Sequence, residues 1–271
     1  MSGKNSSTKH VVSSLLVNLL IASAKGVAAF FTGSGAMLAE AIHSGADCGN
    51  QLLLLRGIKE AGRPADATHP LGYGRNVYFW SFMVALLLFS GGGMFSIYEG
   101  IHKLQHPEPV ENVLLAVGIL AFSLLLEGWA TFGNVRELNK RRGARPFLQF
   151  LKDTKDSDLV VVFGENSAAV LGLAIALIAI VVSSLASAPR ADAVGSILVG
   201  VVLVGVAVFL AIEVKSLLVG ESADPEITAA VHQAAREDKR ILAVHECGTM
   251  QQGPGEVGVA IKITCEPHAT A

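Results

Sequence analysis

Charge is scarce in this chain: only 16% of its 271 residues are Asp, Glu, Lys or Arg. The formal net charge is −2, so no pooled basic surface exists to neutralise phosphates, which argues against nucleic acid as a partner. Three cysteines (Cys48, Cys247, Cys265) lack C-x-x-C spacing, so neither a zinc finger nor a disulfide framework is indicated. No H-E-x-x-H motif occurs. The first apolar run follows a short polar stretch, MSGKNSSTKH, and has no clear cleavage site. It is too long for a signal-peptide core and reads as a retained span.

What is abundant is apolar surface. Hydrophobic residues make up 51% of the chain and glycine contributes 28 residues, the composition of a membrane protein. A hydrocarbon core about 30 Å thick needs about 20 mostly apolar residues per helix. Six segments qualify: Val11–Phe31, Ala36–Ile58, Val77–Ile101, Val113–Val135, Leu159–Ala186 and Ala191–Val214. The second is the least apolar. The breaks at Thr32–Gly35, Gly62–Gly74, His106–Pro109, Lys140–Asp158 and Pro189–Arg190 are mostly rich in Gly, Pro or charge. The expected fold class is an α-helical polytopic membrane protein: a cytosolic segment over 1–10, six transmembrane helices over 11–214, and a cytosolic α+β tail over 220–271.

Lysine and arginine set the expected orientation. Lys4 and Lys9 precede span one; Arg56, Lys59, Arg63 and Arg75 flank the second-to-third loop. Arg136, Lys140, Arg141, Arg142, Arg145, Lys152 and Lys155 crowd the fourth-to-fifth loop. The opposite side has little beyond Lys103 and Arg190. Both termini are therefore expected in the cytosol, with the bacterial inner membrane favoured over an organelle. In the tail, DPEITAAVHQAAREDKR reads as an amphipathic helix with Asp224 as N-cap and Pro225 in the first turn. ILAVHECGTM and EVGVAIKITC read as strands joined through QQGPG. So short a tail is expected to lean on a second copy of itself.

The informative residues are polar ones at membrane depth. His43 and Asp47 are four residues apart in the second span, so they leave the same helix face. Ionisable groups in a membrane helix are costly and commonly functional, and an imidazole beside a carboxylate suits a divalent metal. Glu165 in span five is the natural partner. One nitrogen and two carboxylates favour Zn2+ over Co2+, Fe2+ or Mn2+, as a transported ion, with no organic cofactor. A fourth position is open to water or to an amide from Asn18, Asn50 or Asn166. Glu127 in span four reads as a proton carrier, a support for the ligands, or a structural hydrogen-bonding group. Lys25 in span one is expected to pair with an acid or reach toward water. Asp66 and His69 in PADATHPLGYGR form a candidate loop site, although a Gly-rich turn explains the pattern as well. His245 and Cys247 alternate by two and are expected on one strand face. With Cys265 and His268 they form a candidate soft-metal site, against buried structural cysteine as the commoner outcome.

Together, TGSGAMLAEAIHSGADCGNQ, HPLGYGRN and six spans with cytosolic ends resemble the cation diffusion facilitators, a family of divalent-metal transporters. KDSDLVVVFGENSAAVLGL is most similar to the zinc transporter 9-like branch. The resemblance runs from about Ser13 to Cys265. It implies a tetrahedral transport site near the bilayer midplane, built from two residues of span two and two of span five. These positions fall on His43, Asp47, Glu165 and Ala169, and the last cannot bind metal. The family's loop site falls on Asp66, His69 and Tyr73, with tyrosine in place of a usual histidine. The resemblance also implies a dimerising, ferredoxin-like C-terminal domain, here without its last helix and strand. The expected activity is zinc/proton antiport out of the cytosol, with the lipid bilayer, metal and protons as partners and a homodimer as the assembly. A membrane-embedded metalloenzyme and a non-transporting partner subunit are the alternatives.

Overall fold

The computed structural model describes residues 2–107, 109–154, 157–186, 188–253 and 255–266. Its helices are α1 (Ser2–Thr32), α2 (Gly35–Ala61), α3 (Asn76–Leu87), α4 (Phe95–Gln105), α5 (Val113–Arg142), α6 (Phe147–Asp153), α7 (Ser157–Leu185), α8 (Arg190–Val219) and α9 (Pro225–Glu237). A π-helical segment, Leu88–Met94, joins α3 to α4. An antiparallel hairpin, β1 (Ile241–Gly253) and β2 (Glu256–Cys265), closes the chain.

Among the described residues, four helical units are long and apolar enough to cross a membrane: Asn76–Gln105, Val113–Arg142, Leu159–Leu185 and Arg190–Val219. The expectation of six meets this criterion at four. α2 falls short because Glu40, His43, Asp47, Arg56 and Lys59 interrupt its apolar sequence. In α1 the described apolar stretch is Asn18–Thr32. α2 packs against α1, α3, α7 and α8, so the least apolar long helix lies at the centre of the bundle. That placement is what allows it to be polar, because its neighbours replace lipid. Most of the apolar core forms one cluster running through α1, α2, α3, α5, α7 and α8.

The expected fourth-to-fifth break is partly helical. α5 runs on to Arg142, and α6 folds Phe150 and Leu151 back against Leu138. The apolar stretch FLQFL within RPFLQFLKD is too short to read as a span, which hides this helical turn. The third span is likewise not a uniform helix. Ser90-Gly91-Gly92-Gly93 has weak α-propensity and adopts the π-helical turn.

Small residues bring this turn against α8. A Cβ on Gly200 would lie 2.7 Å from the Gly93 carbonyl oxygen and 2.6 Å from Ile97 Cγ1. The Ser196 hydroxyl donates to the Ser96 carbonyl at 2.9 Å along the same seam. Gly200→Val is therefore expected to overpack a backbone-to-backbone contact and destabilise the protein by about 1–3 kcal/mol. A lower melting temperature in detergent checks this; an unchanged one would contradict the packing.

Two caps position α2. The Ser34 hydroxyl accepts from the Met37 amide at 3.2 Å, the usual service of an N-cap serine. The same hydroxyl donates to Asp192 of α8 at 2.6 Å, and Asp192 also accepts from the Gly35 amide at 2.7 Å and the Ala36 amide at 3.4 Å. A buried carboxylate of one helix thus caps another, complementing the positive end of the α2 dipole.

The tail follows its sequence pattern. Asp224 accepts from the Glu226 amide at 3.0 Å, and Pro225 occupies the first turn of α9. Arg145, between α5 and α6, pairs with Glu226 at 2.9 Å and ties the start of α9 to the membrane helices. The hairpin tip docks on the α2–α3 loop. Gly253 meets Gly74 so closely that a Cβ on Gly253 would lie 3.0 Å from Gly74 Cα. The Arg75 guanidinium donates to the Leu218 carbonyl at the end of α8, and the Gln251 amide donates to Glu221 at 2.8 Å.

Candidate metal site

α2 presents one polar face to the bundle. Glu40, His43, Ser44, Asp47 and Asn50 recur every three or four residues, so one helix period aligns them. His43 is fully buried and Asp47 retains 16% exposure; His43 Nδ1 lies 3.7 Å from Asp47 Oδ1. Among the described residues, neither ring nitrogen of His43 nor Asp47 Oδ1 has a hydrogen-bond partner. Buried polar atoms are nearly always satisfied, so donor atoms left open on one face are unusual and suit an exchangeable ligand.

α7 faces this surface with Glu165, which is buried. The Asn50 amide donates to Glu165 Oε1 at 2.5 Å, while Asn50 Oδ1 has no partner among the described residues. Asp47 lies within electrostatic reach of Glu165. One turn further along α7, Ala169 is buried and offers only a methyl group. The expected ligands therefore stand as two neighbouring groups, His43 with Asp47 and Glu165 with Asn50. Among the described residues, no three His, Cys, Asp or Glu side chains are drawn into a single metal-holding cluster.

The supporting residues separate in space. Glu127 on α5 is half-buried and lies within electrostatic reach of Lys25, Asp47 and His43. Asn166 is half-buried, and its backbone carbonyl accepts from Thr131 at 3.3 Å. Asn18 is half-buried on α1. Lys25 does pair with an acid: its ammonium lies 3.3 Å from Glu40 and donates to Ser44 at 2.7 Å. Glu40 is a further member of the polar face, and its position three residues before His43 is the local signal for it. Asp192 carries no such local signal, because its partners lie more than 150 residues away, as the 157-residue separation from Gly35 shows.

The loop candidates form a hydrogen-bonded turn. Asp66 accepts from the Thr68 amide and hydroxyl, the His69 amide and the Tyr73 hydroxyl. The Thr68 hydroxyl bond, followed by those from Tyr73 and His69, holds the Asp66 carboxyl well below its usual value of 3.8. A carboxyl depressed in this way stabilises the turn above that value and loses its contribution as the pH falls further. His69 Nδ1 engages the Thr68 hydroxyl at 3.0 Å, and its ring lies against Tyr73.

In the tail, a β-bulge corrects the expected shared face. Val244 pairs with Ile263 and Glu246 with Lys262, which leaves His245 as the extra residue. His245 reaches Thr264 at 2.7 Å, on the face where Glu246 meets Lys262. Cys247 pairs with Ile261 and faces the other way. Cys265 pairs with Ile241 at the far end of the hairpin, four residues along β2 from Ile261. His268, like Lys155, lies outside the described residues.

A bundle of apolar helices around one polar helix face, on which buried polar atoms have no partner among the described residues, defines a polytopic membrane protein with a polar interior. Residues 11–219 match the family described as the cation efflux transmembrane domain. The chain belongs to this family and is a multi-pass integral membrane protein. It is 34% identical over 251 residues to the human protein named proton-coupled zinc antiporter SLC30A9, mitochondrial, which covers 92% of this chain and 44% of that one. It is 32% identical over 253 residues to metal tolerance protein C4 of Arabidopsis thaliana, covering 92% and 55% respectively. A shorter match, 36% over 83 residues, is to magnetosome protein MamB of Magnetospira sp. (strain QH-2), covering 31% and 28%. The chain thus spans about half the length of the first two relatives or less.

Proposed function

We propose that this chain is a divalent-metal efflux transporter, a zinc/proton antiporter that carries Zn2+ out of the cytosol. The observation that carries this reading is the His43–Asp47 pair, buried in the centre of a membrane bundle with its donor atoms open and Glu165 facing it. His43, Asp47 and Glu165 bind the metal. Asn50 holds Glu165 through Nδ2 and offers its open Oδ1 as a fourth donor, since Ala169 supplies none. The names of the zinc-antiporter relatives support both the ion and the coupling.

The membrane domain has six spans, counting α1 and α2 with the four apolar units, and both termini lie in the cytosol. Two copies assemble through the tail. The membrane is a bacterial inner membrane or that of an organelle.

Antiport follows from the donor chemistry. Zinc needs a neutral imidazole and ionised carboxylates, so metal and protons compete for the same three groups. An imidazole, ordinarily titrating at about 6.5, makes that competition effective near neutral pH. With the site open to the cytosol, zinc displaces protons. After the bundle rocks to the other side, protons return and expel the metal.

Purified protein in liposomes tests this reading. Zinc uptake is expected to require a pH gradient, acidic on the side that receives zinc, and to stop when an ionophore collapses that gradient. Equal uptake with and without the gradient would refute proton coupling.

A further inference from the structure

We propose that Lys25 is a tethered counter-cation for the acidic site, an ammonium that stands in for the metal when the metal has left. This rests on the site assignment above and goes beyond it.

Lys25 on α1 and Glu40 on α2 are both fully buried, with Lys25 Nζ 3.3 Å from Glu40 Oε2 and 2.7 Å from Ser44 Oγ. A structural ion pair of this depth is expected to saturate its atoms with hydrogen bonds. This one does not: Glu40 Oε1 is buried without a partner among the described residues. The cradle is cut to fit. A Cβ on Gly172 of α7 would collide with Glu40 Oε1, so only glycine there leaves the carboxylate its present position.

The pair also stands beside the metal ligands. Glu40 and Ser44 precede Asp47 on one face of α2. The Lys25 charge is felt at Asp47, at His43 and at Glu127. A flexible four-carbon stem lets the ammonium move between acids without moving a helix.

The need for such a group is electrostatic. Once protons have replaced zinc, a carboxylate at Asp47 or Glu127 that stays ionised would place uncompensated negative charge inside the bundle, which is costly. An ammonium that leans toward it offsets this charge. Arriving Zn2+ repels the ammonium, which retreats to Glu40 and Ser44. Metal and lysine therefore compete for the same carboxylates, which weakens binding and speeds release.

Zinc titration calorimetry and liposome transport on the full chain, with Lys25→Met, the double variant Lys25→Met/Glu40→Gln, and Asp47→Asn, test the proposal. The double variant is the decisive one, because it removes both charges, keeps their shape and leaves no unpaired buried ion should Lys25→Met fail to fold. It is expected to bind zinc about tenfold tighter than the parent or more and to turn over several-fold more slowly. A double variant that binds and transports like the parent would reduce the pair to a structural ion pair and overturn the proposal. If that happens while Asp47→Asn loses zinc binding, the site assignment stands and only the tethered cation fails. If Asp47→Asn binds zinc like the parent, the site assignment itself fails.

Discussion

Asp47→Ala is expected to lose zinc transport while folding at least as well as the parent. Deleting an outer partner of a metal ligand commonly costs about 10–100-fold, so deleting a carboxylate ligand is expected to cost on the order of 100-fold or more in uptake. The stability effect runs the other way. Asp47 Oδ1 is buried without a hydrogen-bond partner among the described residues, and His43 on the same helix is 3.7 Å distant. A carboxylate held in that way burdens the fold, and alanine, a better helix former, removes the burden. The melting temperature of Asp47→Ala in detergent, without metal, is expected to match or exceed that of the parent. Gain of stability with loss of transport marks a residue kept for function rather than packing. If Asp47→Ala transported zinc as well as the parent, the site would lie elsewhere.

Asp192→Ala is expected to have the opposite profile, a large loss of stability that drags transport down with it. Its carboxylate accepts from the Ser34 hydroxyl and from the Gly35 and Ala36 amides, all at the first turn of α2. The amide bond to Gly35 at 2.7 Å is charge-assisted and buried. Removing the carboxylate leaves these donors unpaired inside the bundle, at about 1–3 kcal/mol for each buried group. The α2 dipole also loses its compensating charge. A total of about 3 kcal/mol or more is expected, read as a large fall in melting temperature. His43 sits about two turns beyond this cap, so zinc affinity is expected to fall as α2 loosens. Asp192→Asn keeps an acceptor at the same place and is expected to fall between the two. An Asp192→Ala variant that melts with the parent would mean that Ser34 alone caps α2.

The local features were legible because they are local. His43 and Asp47 share a face through one turn of helix, which needs only the 3.6-residue period. Asp224 and Pro225 announce the start of α9 through capping chemistry that lies within a few residues. Where a local pattern contained an irregularity, simple periodicity misled. The bulge at His245 inverts the strand face from that point on, and Ser90–Gly93 winds into a π turn that hydropathy does not register.

A membrane chain with one conspicuously polar span and a helix–strand–strand tail is legible from the residues alone, because length, apolar content and turn chemistry act within each segment. Which polar groups meet is settled by packing. Lys25 with Glu40, Asn50 with Glu165, Asp192 with the start of α2 and Gly74 with Gly253 are each brought together by helix packing. A single helix records its own period, but the partner it must satisfy lies on another element. Burial makes that partner obligatory without leaving any mark of its identity in the local sequence.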